Sequence, residues 1–158
     1  MQGWWVADIL NDPQRGAPVL VSWAVLVIGS IVLHELAHGW MALRLGDTTP
    51  RDMGHMTWNP LVHMGPWSLV AFAVIGIAWG AMPVDPTRLR GRHGDAWVAL
   101  AGPLMNIGLA AVSFIALVLW MTVGSGVADP LHGNLRMFFW LGAWLNLILA
   151  GFNLLPVL

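Results

Sequence analysis

Residues 16–43 form one long apolar run, GAPVLVSWAVLVIGSIVLHELAHGWMAL, in which Glu35 is the only formally charged side chain. A helix needs about 20 apolar residues to cross the hydrocarbon core of a bilayer. The run therefore predicts a membrane-spanning helix over residues 18–45. Pro18 is tolerated in a first helical turn, and Gly46 is typical of the position just after a helix ends.

Three other stretches carry no charged residue, and each predicts a further span. Only 9% of the residues are charged, whereas soluble domains carry about 25%. We therefore predict an all-α membrane protein, one domain over residues 1–158, with about four transmembrane helices. The last three are expected at residues 66–83, 96–121 and 136–158. In the second span, Gly76 and Gly80 form either a small-residue pair for close helix packing or a chance pair.

The connections between the spans are less regular. Residues 47–65 are rich in Gly, Pro, Thr and Asn and predict a turn-rich or hairpin segment. Irregular backbone at membrane depth needs protein or water around it, so this segment predicts a nearby cavity if it is buried. In residues 1–16, Trp4 and Trp5 predict an interfacial segment, with a frayed terminus as the alternative.

The chemistry lies in the first span, in the sequence His34-Glu35-Leu36-Ala37-His38. His34 and His38 are four residues apart, so a helix places them on one face, where two imidazoles can bind one Zn²⁺ ion. Glu35 can then reach a metal-bound water as general base. The alternative is a cluster used only for packing, but burying a carboxylate for that purpose would cost several kcal/mol.

Other polar residues within spans are less specific. Asn106 and Asn153 either bond neighbouring helices or point into a site, and for any single asparagine helix-to-helix bonding is the more common case. The chain has no cysteine and a net charge of -1. Disulfides and thiolate metal sites are therefore excluded, and nothing indicates a nucleic-acid partner.

Several blocks in order resemble the site-2 protease family of intramembrane zinc metalloproteases in its compact prokaryotic form. Each block matches one of the family's signatures. They are the zinc motif with its exit at residues 43–47, NPLVH at 59–63, PVDP at 83–86, ALAGPLMN at 99–106 and FNLLP at 152–156.

This resemblance implies a zinc endopeptidase in a prokaryotic cell membrane, crossing the lipid bilayer several times. Its partner would be a membrane-protein substrate whose transmembrane helix is cut within or near the bilayer. Glu35 would be catalytic, and His34 and His38 would be zinc ligands. Asn106 and Asn153 would shape the site or hold the unwound substrate strand. The sequence does not indicate the oligomeric state.

One family feature is missing. The last family signature continues to an Asp-Gly pair whose aspartate is the third zinc ligand, and the sequence stops at Leu158 before it. We therefore expect a chain that is incomplete at its C-terminus; no motif supports Asp52, Asp129 or His63 as a substitute. The alternatives are a catalytically inactive scaffold or substrate-binding homologue of the same fold, or a metal-ion transporter, although transporters usually spread their ligands over several spans.

Overall fold

The computed structural model of the protein describes residues 4–155, and within that range it is built from helices and turns without a strand. The prediction of an all-α fold is therefore confirmed. Two short 3-10 turns lie at Pro86–Arg88 and Gly124–Gly126. The helices are α1 (Trp5–Leu10), α2 (Gly16–Arg44), α3 (Thr49–Asp52), α4 (Pro60–Ile75), α5 (Gly94–Val123) and α6 (Leu131–Leu154).

Three of these helices, α2, α5 and α6, are long and apolar enough to cross a membrane, among the residues described. The prediction of a membrane protein is thereby confirmed. Helix α2 has Pro18 in its first turn and is followed by Gly46 at φ 101°, as the sequence predicted. Helix α6 begins before the predicted span of 136–158, and residues 156–158 lie outside the described range.

The second predicted span, 66–83, differs from the structure. Helix α4 begins earlier, at Pro60, where the Asn59 side chain caps it by accepting from the backbone N–H of Leu61 at 3.0 Å. It ends at Ile75 because Gly76 adopts a left-handed conformation, φ 77°. The backbone after Gly76 is non-helical as far as Asp85. Gly76 and Gly80 therefore do not form a helix-packing pair.

A bend divides α4 into two parts. Gly65 has φ 65° and ψ 170° inside the helix, and the following Pro66 disfavours the helical conformation at the residue before it. The predicted turn-rich segment 47–65 is thus irregular only as far as Asn59, apart from the single turn of α3, and it contains no hairpin.

The core lies where α2 packs against α4, α5 and α6. Val27 and Ile31 of α2, Met64 of α4 and Leu145 of α6 form a buried apolar cluster. Most large apolar side chains on the opposite face of α5 are exposed, such as Val112, at 64%. A helix that is apolar on its outer face as well is typical of a membrane span.

The C-terminal end of α2 is held by a buried carboxylate. Asp47 is fully buried; its Oδ1 accepts from the N–H of Thr49 at 2.9 Å and its Oδ2 from the N–H of Asp85 at 2.8 Å. Burial alone would raise the pKa of Asp47, but the hydrogen bonds from Thr49 and Asp85 hold that pKa below its usual value. The end of α2 is thereby joined to the loop that precedes α5.

The N-terminal segment is attached to the end of α4. The indole N–H groups of Trp4 and Trp5 donate to the carbonyl of Ala73 at 3.0 and 3.3 Å. Trp23 donates to the carbonyl of Gly76 at 3.3 Å. These bonds occupy carbonyl groups that the end of α4 leaves without helical partners. The described part of the segment is therefore docked rather than frayed, while residues 1–3 lie outside the described range.

Candidate metal and catalytic site

The zinc motif lies in the second half of α2, on the face that packs against α5. The imidazoles of His34 and His38 lie one helical turn apart in an edge-to-face arrangement, and their Nε2 atoms approach to 2.9 Å. Gly102 of α5 lies directly opposite: a Cβ at that position would be 2.5 Å from the Nε2 of His34. The missing side chain of Gly102 therefore leaves the space in front of both imidazoles.

Both histidines are oriented through their outer nitrogens. The Nδ1 of His38 lies 2.6 Å from the carbonyl oxygen of Val98, which can only accept, so this Nδ1 carries the proton. The Nδ1 of His34 lies 2.5 Å from the side-chain oxygen of Asn106, and it donates in the same way. In a neutral imidazole the other nitrogen is then an acceptor, so both Nε2 atoms are acceptors and lie 2.9 Å apart.

Two acceptor nitrogens this close are stabilised by a cation that binds both. In a tetrahedral zinc site, two nitrogen ligands at ~2.05 Å from the metal lie roughly 3.3 Å apart. The separation of 2.9 Å between the Nε2 atoms of His34 and His38 is close to that value. Metal-binding histidines usually donate their second N–H to a carbonyl or another acceptor, as both do here. The pair therefore fits a zinc ion.

Glu35 points into the cleft beside the histidines. Its side chain is largely buried, and Gly80 of the non-helical segment lies against it: a Cβ there would be 2.7 Å from the Oε1 of Glu35. The extended backbone can approach the carboxylate this closely because position 80 has no side chain. The cleft lies beside residues 76–80 of this non-helical segment.

This cleft has a volume of about 500 Å³ and brings together four of the five predicted site residues: His34, Glu35, Asn106 and Asn153. His38 is not among the lining residues but lies next to His34. Most of the wall is apolar. It includes Trp23, Val27, Ile31, Leu145, Ile148, Leu149 and Phe152.

The two asparagines occupy different environments. Asn106 is fully buried, and its amide group contacts His34 and Asn146. Asn153 is exposed in the cleft, and its Nδ2 donates to the carbonyl of Leu149, one turn earlier in the same helix, at 2.8 Å. Asn106 thus belongs to the interior of the site and Asn153 to its surface.

A third metal ligand is not found among residues 4–155, where no group of three or more His, Asp and Glu side chains is arranged to hold a metal ion. Asp52 instead accepts from the hydroxyl of Thr48 at 2.7 Å. The Nε2 of His63 lies 2.7 Å from the carbonyl of Thr57. Asp129 accepts from the backbone of Gly133 near the start of α6.

Sequence reasoning missed the groups that surround the histidines. Gly102 lies inside the ALAGPLMN block. Only its position opposite α2 shows that the absence of a side chain there leaves space in front of the histidines. The contact with Val98 is made by a backbone carbonyl, which the residue type does not reveal. Asn146 was visible as a polar residue inside a predicted span, and that signal could have marked it as part of the site.

Comparison with known proteins gives a family match over most of the chain. A family model described as peptidase family M50 matches residues 22–132. A Bacillus subtilis protein, YwhC, carries the provisional name of zinc metalloprotease; it is 35% identical over 151 residues, which cover 94% of this chain and 67% of the relative.

Two further relatives carry the same provisional name. One, from Methanocaldococcus jannaschii, is 28% identical over 155 residues, covering 96% of this chain and 72% of the relative. The other, Rip2 of Mycobacterium tuberculosis, is 30% identical over 166 residues, covering 97% of this chain and 59% of the relative. No solved structure matches the chain significantly.

Proposed function

Because this chain belongs to peptidase family M50, as its resemblance to site-2 proteases predicted, we propose that it is an intramembrane zinc metalloendopeptidase. In this proposal His34 and His38 hold Zn²⁺ and Glu35 is the general base. The observation that carries the proposal is the convergence of two Nε2 atoms 2.9 Å apart, next to a buried carboxylate on the same helical turn. Relatives named as zinc metalloproteases support the choice of metal.

Zinc, Glu35 and the two histidines would have separate roles in peptide hydrolysis. When bound, Zn²⁺ supplies a Lewis acid that polarises the peptide carbonyl and acidifies a water molecule. Glu35 would accept a proton from the attacking water and pass it to the leaving amine nitrogen. His34 and His38 would keep their orientation throughout, because their outer N–H groups are bonded to Asn106 and to the backbone of Val98.

The proposed substrate is a transmembrane helix of another membrane protein. The apolar wall of the cleft supports this choice, as does its position between two helices long enough to span the bilayer. A helical peptide carbonyl is hydrogen-bonded and shielded, so the substrate would have to unwind locally. Asn153, exposed in the cleft, would bond the freed backbone. Asn106 is engaged with His34 and Asn146, which favours a structural role for it.

The enzyme would be a multi-pass protein of a prokaryotic cell membrane. Three described helices are long enough to cross a bilayer, and the relatives come from bacteria and an archaeon. A catalytic zinc has three protein ligands and one open position, whereas residues 4–155 supply two. The lack of a third ligand among these residues is the observation that favours the second candidate function, a substrate-binding homologue without catalysis.

The two candidates are separated by Glu35→Gln in the purified protein, reconstituted with a reporter-tagged transmembrane peptide and zinc. Proteolysis predicts that the variant loses about 100-fold or more in cleavage rate while binding as much zinc as the wild type. A wild type that binds the peptide without cutting it would favour the inactive homologue. A variant that cleaves as fast as the wild type would show that Glu35 is not the base.

A further inference from the structure

We propose that Asn146 of α6 is a positioning residue for the site: acting through Asn106, it determines which nitrogen of His34 carries the proton. The protonated Nδ1 then leaves the Nε2 of His34 free to bind metal. The part that concerns the metal rests on the proposed function. The part that concerns the proton is independent of it.

Three hydrogen bonds connect α6, α5 and α2 in series. The Nδ2 of Asn146 donates to the carbonyl of Gly142 at 2.9 Å. The Oδ1 of Asn146 accepts from the Nδ2 of Asn106 at 3.0 Å. The Oδ1 of Asn106 faces the Nδ1 of His34 at 2.5 Å.

The orientation of both asparagine amide groups is determined at the α6 end of this series. The carbonyl of Gly142 can only accept, so Asn146 must turn its NH₂ group towards it and its oxygen towards Asn106. Asn106 must then present its own NH₂ group to Asn146 and its oxygen to His34. An amide oxygen cannot donate, so the proton of a neutral His34 lies on Nδ1.

Burial makes the reversed arrangement costly. Asn106 is fully buried and Asn146 is 2% exposed, so bulk water cannot replace a lost partner. Turning both amides around would place the oxygen of Asn146 against the carbonyl oxygen of Gly142. Each buried polar group left without a partner costs about 1–3 kcal/mol. The helix backbone at Gly142 therefore selects one tautomer of His34, three hydrogen bonds away.

Close helix packing brings the two asparagines together. A Cβ on Gly142 would lie 2.9 Å from the Oγ of Ser113 in α5 and 3.2 Å from the Cδ2 of Leu26 in α2. Gly142 therefore lets α6 approach both other long helices at one point. Asn146, one turn further along α6, comes within hydrogen-bonding distance of Asn106.

The simpler explanation is that the Asn106–Asn146 bond only holds α5 to α6, as polar residues do in many membrane helix pairs. The two explanations differ at the histidines. The series of bonds acts directly on His34 and reaches His38 only through the contact between their Nε2 atoms. The proton of His38 stays on Nδ1, where the carbonyl of Val98 accepts it. A loss of helix packing would disturb both imidazoles.

The experiment measures histidine tautomers by ¹⁵N NMR, in metal-free protein labelled with ¹⁵N-histidine in detergent micelles. The spectra are recorded at about pH 8, where an ordinary imidazole is neutral. Signals are assigned with His34→Gln and His38→Gln. We expect the wild type to show His34 protonated at Nδ1. Asn146→Leu should give a mixture of tautomers at His34 and leave His38 unchanged.

The matched control is Trp120→Phe, which removes a different bond between α5 and α6: the indole of Trp120 donates to the carbonyl of His132 at 3.2 Å. It should change neither tautomer. If Asn146→Leu fails to fold, Asn146→Ser replaces it, since a serine hydroxyl can bond the carbonyl one turn back but is too short to reach Asn106. An unchanged His34 in the folded variant, or equal changes at His34 and His38, would overturn the proposal.

Zinc affinity, measured by competition with a chelator, tests the connection to the metal. Asn146→Leu should weaken zinc binding about tenfold, the lower end of the effect of outer partners. It should add nothing in an Asn106→Leu background, because residues in one network are not additive. A tautomer change without loss of zinc affinity would support the effect of Asn146 on His34 but contradict the proposed metal site.

Discussion

The Nε2 atoms of His34 and His38 lie 2.9 Å apart, while the Nδ1 of each ring faces an acceptor on α5. Such an arrangement leaves two acceptor nitrogens close to one point inside the helical bundle. The opposite wall is Gly102, which has no side chain to fill that point. The proposed zinc site would thus be formed by one turn of α2 and the backbone of α5.

Gly102→Ala should disrupt the proposed metal site, because the two imidazoles must move to make room for the added Cβ. Its Cβ would lie 2.5 Å from the Nε2 of His34, in the space that a metal would occupy. We expect zinc affinity, measured by chelator competition, to fall about tenfold or more, as for other disruptions around a metal ligand.

The matched control for this change is Gly108→Ala in the same helix, where an added Cβ meets nothing within 4 Å. It should bind zinc like the wild type and stabilise α5 by about 0.5–1 kcal/mol, because alanine favours helix over glycine. Equal zinc affinities in the two variants would contradict the position assigned to the metal.

Gly80→Ala should separate catalysis from metal binding. An added Cβ would lie 2.7 Å from the Oε1 of Glu35 and 2.8 Å from the Cγ2 of Ile31, so the carboxylate has to move. A displacement of about 1 Å near a reacting group can cost about 100-fold in rate. We expect cleavage of a transmembrane reporter to fall by about that factor.

In the same variant the zinc content should stay at the wild-type level, because Gly80 does not face the histidines. Ala81→Ser, an exposed neighbour, serves as the control and should cleave normally. Wild-type cleavage by Gly80→Ala would mean that the carboxylate of Glu35 is not held where the structure places it.

Asp47→Asn should loosen the connection between α2 and the loop before α5. Asparagine keeps one acceptor oxygen, so either Thr49 or Asp85 loses its partner. We expect a loss of about 1–3 kcal/mol in unfolding free energy near neutral pH, measured by thermal or denaturant unfolding in detergent. Asp8→Asn, at an exposed site, should change little.

The pH dependence of this effect has a definite sign. The folded protein holds the pKa of Asp47 below the ordinary value of 3.8, so the carboxylate stabilises the fold above that pH. The stabilisation is lost as the pH falls through the depressed pKa. The difference between wild type and Asp47→Asn should therefore shrink below pH 3.8, and a difference that grew on acidification would contradict the assignment.

Sequence alone predicted the features that depend on composition and helical spacing. The long apolar runs located α2, α5 and α6, and the four-residue spacing of His34 and His38 placed them on one face. The end of α4 was not predictable in this way. Residues 76–82 are as apolar as a span, and hydropathy does not distinguish an apolar helix from an apolar extended chain.

The sequence alone could not predict which residues of different helices and loops contact one another. Gly76 ends α4 in a left-handed conformation, and the indole of Trp23 bonds its carbonyl, a contact between residues 53 positions apart. Val98 contributes only a backbone oxygen to His38, so its side chain gives no indication of the role. Asn146 acquires its role from Gly142 and Asn106, which meet only when the three long helices pack.

Zinc stoichiometry is the direct test of whether His34 and His38 bind a zinc ion. The purified wild-type protein, His34→Gln, His38→Gln and Glu35→Gln are each loaded with zinc, washed and analysed for bound metal per chain. If the two histidines hold the metal, about one zinc per chain is expected in the wild type and in Glu35→Gln. Nearly none is expected in either histidine variant. Equal zinc content in the wild type and both histidine variants would contradict zinc binding by His34 and His38.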